Sequence, residues 1–204
     1  MIARLACLHT ARSNAALFEA AAEALPVRAC ELSHHARPDL LREPDEATLN
    51  EAARVMEALA RAADAVILTC STIGRAVERV RAPCPVLRAD AALAEAATRS
   101  GGEVSVLYAA PTTREPTEAL FSAAAARTGA TVSLHFVAQA WDSFLGGDLT
   151  GYHARIREAA EGATGRVAFS QASMTPAAEG LAPRPLTVPG AAILAALRAI
   201  REAR

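Results

Sequence analysis

Residues 64–72 read DAVILTCST, an apolar run that ends in a thiol and two hydroxyls. A continuous apolar run of this length is typical of a strand that is buried on both faces of a parallel sheet. Cys70, Ser71 and Thr72 follow the predicted strand directly. Because open parallel sheets bind ligands beyond the carboxyl ends of their strands, we expect this loop to carry chemistry.

A second copy of the pattern lies in the C-terminal half of the chain. Residues 165–173 read GRVAFSQAS and align with residues 64–72 without a gap, which sets Gln171 opposite Cys70. Each copy is followed by a helical segment and then by a proline-flanked strand. We therefore predict two similar halves. The predicted halves are residues 1–101 and residues 102–204.

Strand-like and helical patterns alternate along the whole chain. The predicted strands are residues 2–9, 27–32, 64–69, 83–88, 103–109, 131–137, 166–170 and 186–188. A loop is predicted over residues 34–44, a short helix after Gly74, and a terminal helix from Pro189 that can pack on either half. The expected helix caps include Ser13, Asp45 and Asp90. This alternation indicates an α/β fold, and two such halves would turn the carboxyl ends of their strands toward a shared cleft.

The composition of the 204-residue chain excludes several kinds of chemistry. A net charge of -1 and an aromatic content of 4% give no basic surface and few stacking platforms, so no nucleic-acid partner is expected. All 21 basic residues are arginine, which excludes Schiff-base chemistry and a phosphate-binding P-loop lysine. The sequence also lacks the glycine-rich dinucleotide motif and the serine nucleophile elbow.

Cysteine usage and hydropathy predict a cytoplasmic protein without a membrane partner. No run of ~18 apolar residues occurs, and the first residues lack the length of a secretion signal. The four cysteines form no CxxC pair, which favours reduced thiols over a disulfide scaffold or a zinc site. His34 and His35 lack a third ligand at metal-binding spacing in the sequence, so no metal is predicted.

Cys70 is the leading candidate for a catalytic residue. At the junction of a strand and a helix, its sulfur would meet free backbone N–H groups and the positive end of a helix dipole. Those features favour the thiolate and make it a nucleophile or an acid/base. Ser71 and Thr72 would add donors suited to a carboxylate. The alternative is that Cys70 packs as an inert thiol.

Two further loops offer hydroxyls or an imidazole. His9 closes the first strand and could activate Cys70 as a Cys–His pair, with helix capping or solvent exposure as the alternative. Thr112 and Thr113 follow a strand and can cradle a small anion, or serve only as helix caps.

These segments together resemble the aspartate/glutamate/hydantoin racemase superfamily, which also contains arylmalonate decarboxylase and maleate isomerase. The segments that carry the resemblance are the His9-Thr10 loop and residues 65–72, 111–117 and 167–174. The resemblance implies two Rossmann/flavodoxin-like parallel-sheet halves in a pseudo-two-fold arrangement, with the site in the cleft between them. It also implies an enzyme without cofactor or metal that acts at the carbon next to a carboxylate.

Carried over residue by residue, the resemblance matches Cys70 to the first-half cysteine of the racemases. The second-half position holds Gln171, or Ala172 if one gap is allowed, and neither can exchange a proton as a thiol does. We therefore predict a one-thiol enzyme, a racemase-like isomerase or a decarboxylase, that binds a small carboxylic acid. The expected substrate-binding residues are His9, Thr10, Ser71, Thr72, Thr112, Thr113, Gln171 and Ser173.

Two other functions stay open from the sequence. One is a carboxylate-binding protein of the same fold that has lost catalysis. The other is a cysteine hydrolase that uses Cys70 and His9. A homo-oligomer is compatible with each of these functions.

Overall fold

The computed structural model describes residues 2–42 and 44–203, in which helices alternate with parallel strands. The first strands are β1 (Ala3–His9), β2 (Cys30–Ala36), β3 (Ala65–Leu68) and β4 (Val86–Arg88). The helices among them are α1 (Asn14–Glu23), α2 (Glu46–Leu59) and two 3-10 helices, Pro38–Leu40 and Gly74–Arg79. Helix α3 (Ala89–Thr98) follows β4.

The second set of elements repeats this order. Its strands are β5 (Glu103–Tyr108), β6 (Thr131–Phe136), β7 (Arg166–Phe169) and β8 (Leu186–Thr187). Its helices are α4 (Arg114–Ala126), α5 (Ala140–Leu145), α6 (Leu149–Glu161), α7 (Val188–Glu202) and the 3-10 helices Pro111–Thr113 and Ala172–Ala178. Within residues 2–42 and 44–203, no helix is long and apolar enough to cross a membrane.

The chain divides into two compact units. Unit 1 is Met1–Ala92 together with Pro189–Arg204, and unit 2 is Leu93–Val188. Unit 1 holds a parallel sheet of order β2-β1-β3-β4, and unit 2 holds one of order β6-β5-β7-β8. The predicted α/β fold of two similar parallel-sheet halves is confirmed.

The burial of strand β3 in unit 1 accounts for its continuous apolar sequence. All four residues of β3 are buried, as expected for a strand covered on both faces. Helix α2 begins at Asp45, whose carboxylate accepts a hydrogen bond from the Thr48 backbone N–H at 2.7 Å. Leu49 and Met56 lie on its inner face, and burying each side chain contributes roughly 1.5–3 kcal/mol.

The loop prediction for residues 34–44 is wrong at its start, because His34 and His35 lie in β2. The strand runs over Cys30–Ala36 instead of residues 27–32, and Val27 is 68% exposed before it. Strand β2 is an edge strand that pairs only with β1 among the described strands. Two consecutive histidines hide the carboxyl end of this strand, whose register with β1 is fixed in the fold.

Smaller differences also have physical causes. Strand β4 begins at Val86, because Pro83 and Pro85 lack the N–H groups that a ladder needs. Asp90 lies inside the first turn of α3, where its carboxylate binds the Arg88 guanidinium. Ser13 stands at the start of α1 but makes no side-chain cap.

Candidate active site

Cys70 lies just beyond the carboxyl end of β3, and its free thiol is partly exposed. The residue before it is anchored, because both the backbone N–H and the hydroxyl of Thr69 donate to the Leu8 carbonyl, at 3.0 and 3.1 Å. After it, the Gly74 N–H donates to the Ser71 carbonyl at 3.1 Å and closes a turn. The thiol is thus presented from a loop that is fixed on both sides.

The helix after this loop is too short to favour the Cys70 thiolate through its dipole. It is a six-residue 3-10 helix that begins at Gly74, beyond Ser71 and Thr72. So short a helix of poor hydrogen-bond geometry carries little dipole. Any activation of Cys70 must therefore come from the substrate or from groups near the loop.

Arg88 lies against this loop and was not singled out from the sequence. A Cβ atom on Gly74 would lie 2.4 Å from Arg88 Cζ, so a larger residue at position 74 would displace the guanidinium from its present place. Arg88 ends β4 and donates from Nε and Nη2 to the Asp90 carboxylate at 3.1 and 2.8 Å. An arginine at the carboxyl end of the strand next to β3 was the signal that could have found it.

His9 is fully buried and uses both ring nitrogens. Its Nδ1 lies 2.8 Å from the Thr69 hydroxyl, and its Nε2 lies 2.8 Å from Nδ1 of His34. Burial, followed by the charges of His34 and His35, lowers the pKa of His9 to about 4. His9 therefore contacts the residue before Cys70 as a neutral ring. Thr10, the next residue, is also buried.

In unit 2, the Gln171 side chain binds backbone. Its Oε1 accepts hydrogen bonds from the N–H groups of Ala109 and Ala110, at 2.8 and 2.9 Å. These donors stand at the carboxyl end of β5, where an open sheet would otherwise offer them to a ligand. Gln171 thus ties the end of β7 to the end of β5.

Ser173 is held by two residues of α6. Its hydroxyl lies 2.7 Å from the Tyr152 hydroxyl, and its carbonyl accepts from His153 Nε2 at 3.0 Å. Burial raises the pKa of Tyr152 to about 12, so the phenol is neutral. Neither Tyr152 nor His153 was assigned chemistry from the sequence, because they lie far from Ser173 along the chain.

The two threonines of the other predicted loop differ from one another. Thr113 donates its hydroxyl to the Ala110 carbonyl at 2.7 Å. Thr112 is exposed. Neither residue is a side-chain cap for α4.

Within each unit, the predicted residues gather at the carboxyl ends of two adjacent strands. Unit 1 brings together His9, Thr10, Cys70, Ser71 and Thr72, beyond β1 and β3. Unit 2 brings together Thr112, Thr113, Gln171 and Ser173, beyond β5 and β7. Both groups of residues form because strands that are distant in sequence pair side by side.

No protein-family model and no curated protein matches this sequence. Solved structures match it over nearly its full length. Aspartate racemase of Picrophilus torridus aligns with a TM-score of 0.73 and 11% identity, over 98% of this chain and 94% of that chain. Allantoin racemase from Klebsiella pneumoniae aligns with a TM-score of 0.63 and 16% identity, over 98% and 86% of the two chains.

A glutamate racemase agrees with these two. The enzyme from Thermus thermophilus, solved in complex with β-chloro-D-alanine, gives a TM-score of 0.63 and 13% identity, over 98% and 81% of the two chains. The chain therefore has the two-sheet α/β fold of aspartate, glutamate and allantoin racemases. The predicted resemblance to the aspartate/glutamate/hydantoin racemase superfamily is confirmed in the fold.

Proposed function

We propose that this protein is a cofactor-independent, racemase-like enzyme that acts at the carbon next to the carboxylate of a small acid, with Cys70 as its single catalytic thiol. The observation that carries the proposal is the partly exposed thiol at the carboxyl end of β3, in a chain with the racemase fold. Cys7 and Cys30 are buried in unit 1, and the Cys84 thiol donates to the Ala60 carbonyl at 3.7 Å.

In the proposed reaction, Cys70 moves a proton at the reacting carbon. The thiolate removes a proton next to the carboxylate, or the thiol protonates the carbanion left by loss of carbon dioxide. Ser71 and Thr72 hold the carboxylate oxygens through hydroxyl and N–H donors, which stabilises the charge that develops on them. His9 and Thr10 complete this end of unit 1 as neutral groups.

The hydroxyl loops of unit 2 are proposed to bind substrate oxygens. Thr112, Thr113 and Ser173 supply hydroxyls for this purpose. The Oε1 atom of Gln171 accepts hydrogen bonds from the backbone, so its amide nitrogen is the part that can donate to a substrate. Because an amide does not exchange protons, we assign Gln171 to binding and leave Cys70 as the acid/base.

The experiment replaces Cys70 with alanine and assays racemization, decarboxylation and cis–trans isomerization of a panel of small carboxylic acids. We expect Cys70→Ala to lower kcat/KM by about 10²- to 10⁴-fold, the usual value of a positioned acid/base. Cys84→Ala is the matched control, because it removes the other partly exposed thiol and should retain activity. Turnover that persists in Cys70→Ala would overturn the role.

The second candidate is a carboxylate-binding protein without catalysis. It is favoured by Gln171, which stands where a second proton-exchanging group would be needed. Alkylation of the native protein separates the two functions. Burial raises the pKa of Cys84, so free cysteine is the reference thiol. An enzyme should show faster alkylation at Cys70 than free cysteine shows at the same pH, while a binder should show no such excess.

The hydrolase alternative has less support, because both ring nitrogens of His9 are bound to Thr69 and His34. A hydrolase would form an acyl-enzyme on Cys70, which mass spectrometry would detect after incubation with an activated ester.

A further inference from the structure

A second cluster of chemically active side chains lies on one face of the unit 1 sheet. Cys7 and His9 alternate in β1 and so point to the same face, and His34 of β2 pairs in register with Cys7. One sulfur and one nitrogen from each ring lie within 4.8 Å of one another. Cys7 and His9 are fully buried, and the His34 side chain is 18% exposed.

Hydrogen bonds hold the outer nitrogen of each ring. Nδ1 of His9 lies 2.8 Å from the Thr69 hydroxyl, and Nε2 of His34 lies 3.0 Å from Oε1 of Glu19. The inner nitrogens, Nε2 of His9 and Nδ1 of His34, face each other at 2.8 Å. Metal-binding histidines are oriented in this way, with the second nitrogen donating to a hydroxyl, carbonyl or carboxylate.

The hydrogen-bond pattern also limits where the ring protons lie. The Thr69 hydroxyl lies 3.1 Å from the Leu8 carbonyl and 2.8 Å from Nδ1 of His9, so its one proton goes to either of these acceptors. The Glu19 carboxylate is an acceptor, so Nε2 of His34 donates to it. When the Thr69 proton goes to Leu8, Nδ1 of His9 carries the ring proton and the two inner nitrogens present lone pairs to each other at 2.8 Å. A cation bound between the rings is favoured by this tautomer, because both inner nitrogens are then free to act as ligands.

We propose that Cys7, His9 and His34 bind one Zn²⁺ or a similar divalent first-row cation. The ligands are the Cys7 thiolate, Nε2 of His9 and Nδ1 of His34, with water in the fourth position. Zinc bonds measure ~2.0–2.1 Å to nitrogen and ~2.3 Å to sulfur, and the three ligand atoms, which lie within 4.8 Å of one another, can share one ion after side-chain adjustment. Binding transfers the Cys7 thiol proton to solvent, while the outer ring protons stay on their hydrogen bonds.

A surface cavity includes Glu19, the carboxylate that is bound to His34 of the cluster. It has a volume of about 670 Å³ and is lined in part by Glu19, Glu23, Glu31 and Cys30. Carboxylates outnumber cations there, since Arg28 is the basic residue of the lining and pairs with Glu31 at 3.1 Å. A divalent cation would therefore be attracted to the surface beside Glu19.

The test is a titration of the purified full chain with Co²⁺ as the spectroscopic probe. We expect saturation at one equivalent, the visible bands of a tetrahedral site and a near-ultraviolet sulfur-to-cobalt band, all reversed by Zn²⁺. His34→Asn should weaken binding by at least ~10-fold, and Cys7→Ser should remove the sulfur band.

The matched control is His35→Asn. His35 is the next residue of β2 and points to the opposite face, so this variant should bind Co²⁺ as the wild type does. If Cys7→Ser fails to fold, the comparison of His34→Asn with His35→Asn still decides the matter. The absence of saturable binding, equal affinity in these two histidine variants, or a sulfur band that survives Cys7→Ser would each overturn the proposal. In that case a hydrogen bond between Nε2 of His9 and Nδ1 of His34 accounts for their contact.

Discussion

Thr69 of unit 1 and Ser170 of unit 2 occupy equivalent places in two sheets of the same strand order, and the backbone around them is bound in the same way. The hydroxyl and N–H of Thr69 donate to the Leu8 carbonyl. The hydroxyl and N–H of Ser170 donate to the Leu107 carbonyl, at 2.9 and 3.0 Å. In each unit, the loop therefore begins at a residue whose hydroxyl and N–H both bind the neighbouring strand.

The next residue separates the two loops. Cys70 presents a free, partly exposed thiol, while Gln171 turns its amide oxygen onto the N–H groups of Ala109 and Ala110. The same backbone arrangement thus carries a free thiol in unit 1 and a structural amide in unit 2. We therefore expect substitutions at the two positions to have different effects. Substitution of Cys70 should lower activity, and substitution of Gln171 should lower stability.

The largest stability effect is expected from Gln171→Ala. It leaves two buried backbone donors without an acceptor, so the free energy of unfolding should fall by at least about 2 kcal/mol. Gln171→Glu is the matched control, because it retains an acceptor at the same position and should cost less. Denaturant unfolding measures both. Equal losses in the two variants would show that the paired hydrogen bonds do not stabilise unit 2.

Thr69→Val and Ser170→Ala test whether the hydroxyl at this position contributes equally to the stability of each unit. Thr69 also forms a hydrogen bond with the buried His9 ring, so its removal should lower the free energy of unfolding by about 1–3 kcal/mol. Ser170→Ala removes one hydrogen bond to Leu107 and should cost about 1 kcal/mol. A larger loss in Ser170→Ala would contradict the assigned role of Thr69 as a support for His9.

Tyr152→Phe measures how firmly unit 2 holds Ser173. It removes one hydroxyl pair at 2.7 Å and should lower the free energy of unfolding by about 0.5–1.5 kcal/mol. Tyr108→Phe is a suitable comparison, since that ring packs on Phe136. Thermal unfolding of the two variants gives the difference, and identical curves would show that the Ser173 contact adds nothing.

The smallest stability effect is expected from Cys70→Ala. The side chain is partly exposed on the edge of the unit 1 core, so the free energy of unfolding should change by less than about 1 kcal/mol. The same variant should lose most of its activity. A stability loss as large as that of Gln171→Ala would instead assign Cys70 to packing, and the contrast between the two loops would fail.

Local patterns in the sequence were enough to predict the fold. The buried run of β3 indicates a parallel sheet, because strands that are covered on both faces have continuous apolar sequences. The repeat at β7 is weaker, since two of its four residues are half-buried. The carboxyl end of strand β2 was not predicted, because two consecutive polar residues, His34 and His35, are typical of a loop. Their place in the sheet depends on pairing with β1, which is distant in sequence.

The candidate site could be predicted only in part, for the same reason. The loop after β3 places Cys70 at the sheet edge through its own sequence. The backbone role of Gln171 and the contact of Tyr152 with Ser173 arise from residues that are far apart in the chain. The Cys7, His9 and His34 cluster likewise needs two paired strands, so spacing along the sequence gives no sign of it.

The most direct test of the one-thiol account is the stereochemistry of proton delivery in D₂O. With whichever small acid is turned over, NMR and chiral separation give the deuterium content of each product enantiomer. If Cys70 alone delivers the proton, deuterium enters from one face and one labelled enantiomer forms, and Cys70→Ala abolishes the labelling. Equal amounts of both labelled enantiomers, or labelling by Cys70→Ala at the wild-type rate, would contradict the account.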